Sequence, residues 1–559
     1  MNHSPPSFRR FYLGTAAIVA ALHSAGCIVT SETAGTAGTG GTGAVGGGGS
    51  GGSGGSGGGP SASLVVDTDK GKVEGALDGS TREFLGIPFA APPVGDLRWK
   101  PPVPHEPWTD TLPVTKKGPG CPQNGPIGGK FDANSKEDCL YLNVWTPEKA
   151  ASEPVPVLVW VHGGAFILGS GSEGAYDGKA FSEATGAVVV TVNYRLGALG
   201  FLAHPALAAE DPNFPTSSNY GILDQQLALS WVKNNIAAFG GDPSNVTVFG
   251  ESAGGISSCL HLMAPGSKGL FHRSIIQSGP CDRLGTLDKA QTQGQDLVVG
   301  AGCQDAPDVL ACMRAKTPEE LLLALPTGTD FLGGTVSWFP VVDGVTLPDL
   351  PSNMFKAGTF EKVPVILGTN RDEASLFFSL SNVTVADEEQ FAAMSEEMVP
   401  GHSAEVVALY PVAEYGTAQA AALAAFTDAG FICPARKVAR ALSEQSAPTF
   451  LYHFTYAPEG TLLPNLGAFH SAEIKYVFGN PGQLTPKAIS DEEKPLSDAM
   501  MGYWFRHAQK GNPNGAEMLA WPEYTTATDE NIVFDLTLST QANLRQKQCD
   551  FWDTVELAQ

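Results

Sequence analysis

The sequence predicts an α/β fold: a large, mostly parallel central sheet with helices on both faces, interrupted by long insertions. Three observations lead there. Strand-like runs (157–161, 187–192, 246–249, 274–277, 363–367 and 449–455) alternate with helix-like ones (222–237, 252–263 and 434–443). One strand pattern, Val246 to Phe249, passes through Gly250-Glu251-Ser252-Ala253-Gly254 directly into a helix-compatible stretch. Another, Val155 to Val161, delivers the glycine-rich turn His162-Gly163-Gly164-Ala165-Phe166.

A chain of 559 residues would ordinarily divide into several domains. Here the chemical motifs are spread over nearly the whole length, so residues 62–559 read as one large domain. Residues 1–26 read as a targeting segment: Arg9 and Arg10 precede an apolar run from Phe11 to Leu22, with Ser24-Ala25-Gly26 before Cys27. The run is short for a membrane span. Cys27 after small residues resembles a bacterial lipoprotein site, where the cysteine is lipidated, although Ser24 stands where that pattern has leucine. Ordinary cleavage and secretion is the alternative. Residues 27–61, almost all Gly, Ser, Thr and Ala from Thr33 on, read as a flexible tether. The expectation is an exported protein, lipid-anchored at the outer surface or in the periplasm, or else secreted.

Folded sequence is expected from Leu64-Val65-Val66, the first arm of a hairpin with Gly71-Lys72-Val73. The formal charge is −24, from 34 basic and 58 acidic residues. That balance disfavours nucleic acid and other polyanionic partners.

The chemistry begins at Ser252. A serine in G-x-S-x-G between a strand and a helix sits on a sharp turn, its hydroxyl clear of the sheet and the next N–H aimed where an oxyanion forms. A Gly/Ser turn without chemistry is the plain alternative. The pairing with the His162-Gly163-Gly164 loop weighs against it, because such glycines let backbone N–H groups approach a carbonyl oxygen closely. The oxyanion donors expected are Gly163, Gly164 and Ala253.

Further stretches carry a resemblance. They are Gly86-Ile87-Pro88-Phe89-Ala90, Glu137-Asp138-Cys139-Leu140-Tyr141-Leu142-Asn143-Val144-Trp145, Asn193-Tyr194-Arg195, Asn219-Tyr220-Gly221 and Phe239-Gly240-Gly241-Asp242-Pro243. With the two glycine motifs, they make the chain from about residue 62 onward resemble the type-B carboxylesterase/lipase family, α/β-hydrolases that include the cholinesterases. The resemblance implies the α/β-hydrolase fold, a serine carboxylesterase and no cofactor. It implies Glu373 as the acid, in Asp372-Glu373-Ala374, where Ala374 replaces the family's glycine. Asp372 is the second candidate. Among His402, His453, His470 and His507, it implies His470 as the base, in Gly467-Ala468-Phe469-His470-Ser471-Ala472-Glu473. His162 reads as structural.

Eight of the nine cysteines follow the tether, and spacing alone cannot select among roughly a hundred pairings. The resemblance implies Cys121–Cys139, Cys303–Cys312 and Cys433–Cys549, and leaves Cys259 and Cys281 unpaired.

The expected partner is a small-molecule ester, with membrane attachment only through a lipidated Cys27 and no metal-ligand spacing. Oligomeric state is not indicated. An interfacial lipase of the same fold is the alternative, and a cholinesterase-like binding module the alternative from another class. In cholinesterases the loop closed by the first disulfide carries a tryptophan that receives a quaternary ammonium. Residues 122–138 contain none, Leu376 stands where those enzymes have another aromatic residue, and Gly333-Gly334-Thr335-Val336 is small where they are bulky. Neutral short- to medium-chain esters, including aryl esters, are the expected substrates.

Overall fold

A computed structural model describes residues 62–125, 130–149, 151–279, 281–282, 284–325, 338–516, 518–555 and 557. Residues 1–26, read above as a targeting segment, Cys27, residues 28–61, read as a tether, and the segment 333–336 lie outside the described residues.

Eleven strands build the main sheet: β1 (Ala76–Asp78), β2 (Thr81–Pro88), β3 (Tyr141–Pro147), β4 (Val155–Val161), β5 (Val188–Val192), β6 (Gly241–Glu251), β7 (Arg273–Gln277), β8 (Val365–Asn370), β9 (Thr449–Phe454), β10 (Glu530–Phe534) and β11 (Ser539–Ala542). Their order is β11-β10-β9-β8-β7-β6-β4-β5-β3-β2-β1. The stretch from β10 to β5 runs parallel. Antiparallel strands flank it on both sides. The hairpin expected at the start forms separately, with Val65–Thr68 pairing antiparallel to Gly71–Glu74.

The central strands are apolar throughout because both faces are covered. Successive side chains point to opposite sides. Val157, Val159, Val161, Val246, Val248, Val365 and Leu367 therefore join one core, and Leu158, Trp160, Phe249, Ile275 and Ile366 join another. The first core is capped by α1 (Tyr220–Asn235), α2 (Ala253–His261) and α4 (Cys433–Glu444) through Val232, Leu260 and Val438. The second is capped by α5 (Ile474–Phe478) and α6 (Lys494–Lys510) through Phe478 and Trp504. Between these helices in the chain lies α3 (Glu373–Leu380), which begins just past β8. Among the described residues no helix is long and apolar enough to cross a membrane.

Among the described residues four disulfides are present: Cys121–Cys139, Cys259–Cys281, Cys303–Cys312 and Cys433–Cys549. The second corrects the expectation that Cys259 and Cys281 are unpaired. Cys259 lies in the last turn of α2, and Cys281 follows β7, the strand to which that helix leads. The β6-α2-β7 crossover returns the chain alongside its own helix, so the two Cα atoms stand 5.9 Å apart despite a sequence separation of 22. Both side chains are fully buried.

Candidate active site

Four strand ends converge on the site. β6 ends at Glu251, and Ser252 caps α2 with φ +56° and ψ −120°. A non-glycine residue at positive φ is disfavoured and persists where its surroundings hold it. Here Ser252 N–H donates to Gln277 O at the end of β7 (2.9 Å). Gly254 must be glycine because a Cβ there would stand 1.9 Å from Val161 O, at the end of β4.

The loop after β4 lies against this turn. A Cβ on Gly163 would meet Glu251 O at 2.9 Å and Ser252 Cβ at 3.2 Å. His162 shapes the loop, its Nδ1 lying 2.8 Å from Gly163 O and its ring stacked on Tyr194. Tyr194 OH donates to His162 O (2.9 Å). Burial lowers the His162 imidazole to about 4, so it is neutral and suited to a structural post. Among the described residues, the N–H groups of Gly163, Gly164 and Ala253 have no protein acceptor.

β8 delivers the candidate acid. Glu373 is fully buried at the start of α3, and its Oε1 accepts from Asn370 N–H (2.7 Å) and Ser278 Oγ–H (2.6 Å). Its Oε2 lies 2.7 Å from His470 Nδ1. Asp372 points elsewhere, pairing with Arg371 and accepting from Ala468 N–H (2.8 Å). His402 is half-buried beside Glu405, His453 lies within β9, and His507 is buried in α6.

The other imidazole nitrogen, Nε2, stands 3.1 Å from Glu251 Oε1, within ion-pair reach, and among the described residues neither atom takes part in a hydrogen bond. No hydrogen bond joins Ser252 Oγ to His470 among the described residues, a common state of such sites before substrate arrives. Burial disfavours the imidazolium, but the carboxylates of Glu251 and Glu373 outweigh it and raise His470 to about 9. Burial also lifts Glu251 to about 8, partly offset by His470.

Sequence reasoning passed over several neighbours. Glu473, fully buried, accepts from Asn370 Nδ2 (2.6 Å) and Gln277 Nε2 (3.0 Å). Burial and then the Glu373 carboxylate raise its affinity for a proton. The signal was its place three residues after His470, inside the same motif. Phe377 and Phe431 bring their rings to 4.9 and 5.1 Å from the imidazole. Nothing local marked Ser278 or Phe431, which tertiary packing alone brings in. Among the described residues, no group of three or more His, Cys, Asp or Glu is arranged to hold a metal.

Comparison with known proteins agrees with this architecture. The carboxylesterase family profile matches residues 62–552. The chain is 38% identical to para-nitrobenzyl esterase of Bacillus subtilis, over 85% of this chain and 96% of that one. It is 35% identical to acetylcholinesterase of Bungarus fasciatus, over 89% of this chain and 87% of that one. Among solved structures, a PNB esterase superposes with a TM-score of 0.75 at 36% identity, covering 87% of this chain and 99% of that one. A thermophilic PNB esterase superposes with a TM-score of 0.77 at 35% identity, covering 88% and 99%. The fold is thus that of the α/β-hydrolases, and the chain belongs to the carboxylesterase family and is a carboxylic ester hydrolase.

Proposed function

We propose that Ser252, His470 and Glu373 act as nucleophile, general base and orienting acid, with Gly163, Gly164 and Ala253 donating to the oxyanion. The observation that carries this is the buried Glu373–His470 contact of 2.7 Å, which leaves Nε2 at the flank of the Ser252 turn. Ser252 Oγ attacks the ester carbonyl carbon while His470 Nε2 takes its proton. The C–O bond to the alcohol then breaks, and His470 returns the proton to the leaving oxygen. Water, deprotonated by the same nitrogen, releases the acid from Ser252. Glu373 holds the tautomer with Nδ1 protonated and balances the imidazolium charge. General-base work requires a neutral imidazole, so activity is expected to rise with pH as the imidazolium held by Glu251 and Glu373 loses its proton.

The substrates we infer are neutral short- to medium-chain esters, aryl esters included. The absence of tryptophan from residues 122–138 and the aliphatic Leu376 support this, as does the name of the para-nitrobenzyl relative. Four disulfides among the described residues support an oxidising compartment, and with it export. Lipidation of Cys27 is proposed from the sequence, and Cys27→Ser should release activity into the soluble fraction.

The test of the triad is Ser252→Ala, expected to lower kcat on the order of 10⁶ and to abolish covalent labelling by a fluorophosphonate without unfolding the protein. Near-normal hydrolysis by that variant would refute the assignment.

A further inference from the structure

Three residues at the end of β7 reach both the serine turn and the buried carboxylates of the site. Gln277 O accepts the Ser252 N–H (2.9 Å), while its side chain donates to Glu473 and accepts from Trp504 Nε1 (3.0 Å each). Ser278 donates through Oγ to Glu373 and through its N–H to Gly368 O (2.9 Å). Gly279 lies so close to the serine turn that a Cβ would stand 2.4 Å from Ser252 O and 2.5 Å from Ile256 N. One short segment therefore bears on the nucleophile's backbone on one side and on the acid's carboxylate on the other.

This segment is not held by local preference. Ser278 has φ +48°, a conformation that a non-glycine residue keeps only where its surroundings impose it. The covalent constraint nearest to it is the Cys259–Cys281 disulfide, which fastens the chain three residues past Ser278 to the far end of the helix that Ser252 begins.

We propose that the Cys259–Cys281 disulfide is a positioning element of this site, clamping Gln277–Gly279 between the Ser252 turn and Glu373 so that Ser278 keeps the acid aligned with His470. The inference rests on the triad reading above. Without the clamp, Ser278 is free to relax from its positive φ. Glu373 then loses one donor, and the imidazole loses part of the contact that sets its orientation and its basicity. Misplacement of catalytic groups by an ångström lowers turnover steeply while leaving ground-state binding nearly unchanged.

The experiment compares Cys259→Ala/Cys281→Ala with Cys303→Ala/Cys312→Ala, a disulfide remote from the site, using a soluble aryl ester. The first variant should lose about tenfold or more in kcat with KM within about threefold. The acidic limb of its kcat/KM profile should move to lower pH, because a loosened Glu373 supports the imidazolium less. The remote variant should retain kcat within about twofold. Ser278→Ala, which keeps all four disulfides, should reproduce the same kcat loss and limb shift. Combined with the first variant it should add little, since both act through one contact. Fully multiplicative losses, or an unshifted limb with kcat intact, would overturn the proposal. If the cysteine variant does not fold, Ser278→Ala alone decides, and normal turnover there sinks the idea. Fluorophosphonate titration separates the two readings: failure to label Ser252 in the unaltered enzyme defeats the triad itself, whereas full labelling with undiminished kcat in the cysteine variant defeats only the clamp.

Discussion

Glu251 Oε1 stands 3.1 Å from His470 Nε2, so two buried carboxylates, Glu251 and Glu373, bracket one imidazole from opposite sides. Each favours the imidazolium, and together they raise His470 to about 9 against the effect of burial. Glu251→Gln removes one of these charges, so the imidazole must lose its proton at lower pH. The acidic limb of kcat/KM is expected to shift downward, on the order of one pH unit. A pH–rate profile checks this, and a limb that stays in place or moves upward would show that Glu251 does not govern the imidazole.

The acid can be told from its neighbour by the same kind of measurement. Glu373→Gln should lower kcat on the order of 10⁴, less than loss of the serine or histidine, because it disturbs orientation and charge without removing the reacting groups. Asp372→Asn should stay within about tenfold, the effect of a weakened hydrogen bond to Ala468 N–H. Reversal of that order would reassign the acid.

Stability should follow the disulfide loops unequally. Cys433–Cys549 spans 116 residues and Cys303–Cys312 spans 9. In the chain-entropy view, the long loop is worth about 4.7 kcal/mol and the short one less than about 3. Cys433→Ala/Cys549→Ala should therefore show the larger drop in Tm. It also frees a helix bearing Cys549 and Trp552 from the core that contains Ala429 and Ile432. Equal drops for both pairs would argue against loop length as the governing factor.

Substrate charge offers a fourth check. Residues 122–138 contain no tryptophan and position 376 is leucine, so the aromatic residues that receive a quaternary ammonium in cholinesterases have no counterpart at these positions. kcat/KM for butyrylcholine should not exceed that for its uncharged 3,3-dimethylbutyl isostere. A preference for the cation of tenfold, about 1.4 kcal/mol, would contradict the neutral-ester reading.

What the sequence determined by itself is local and periodic. Val246 to Phe249 is apolar without interruption because its strand is covered on both faces, and that pattern is visible in one dimension. Gly254 is glycine because a strand end lies against it, so the close approach left its mark in the motif. Ser252, Glu373 and His470 are each announced by the turn or loop that carries them, and the order of those motifs along the chain is part of the family resemblance.

Tertiary structure alone decided which distant groups share a space. The pairing of Cys259 with Cys281 depends on a crossover that folds the chain back on its own helix, and no spacing rule encodes that. Ser278 and Phe431 reach Glu373 and His470 across 95 and roughly 40 residues of chain, through packing of the sheet and of the helical turn Asp428–Ile432 before α4. Burial raises the proton affinity of Glu251, and the carboxylates of Glu251 and Glu373, both within about 3 Å of the ring, raise that of His470 against the effect of burial. Chain separation carries no trace of that distance: electrostatic energy depends on positions in space and on the surrounding dielectric, both of which exist only once the chain has folded.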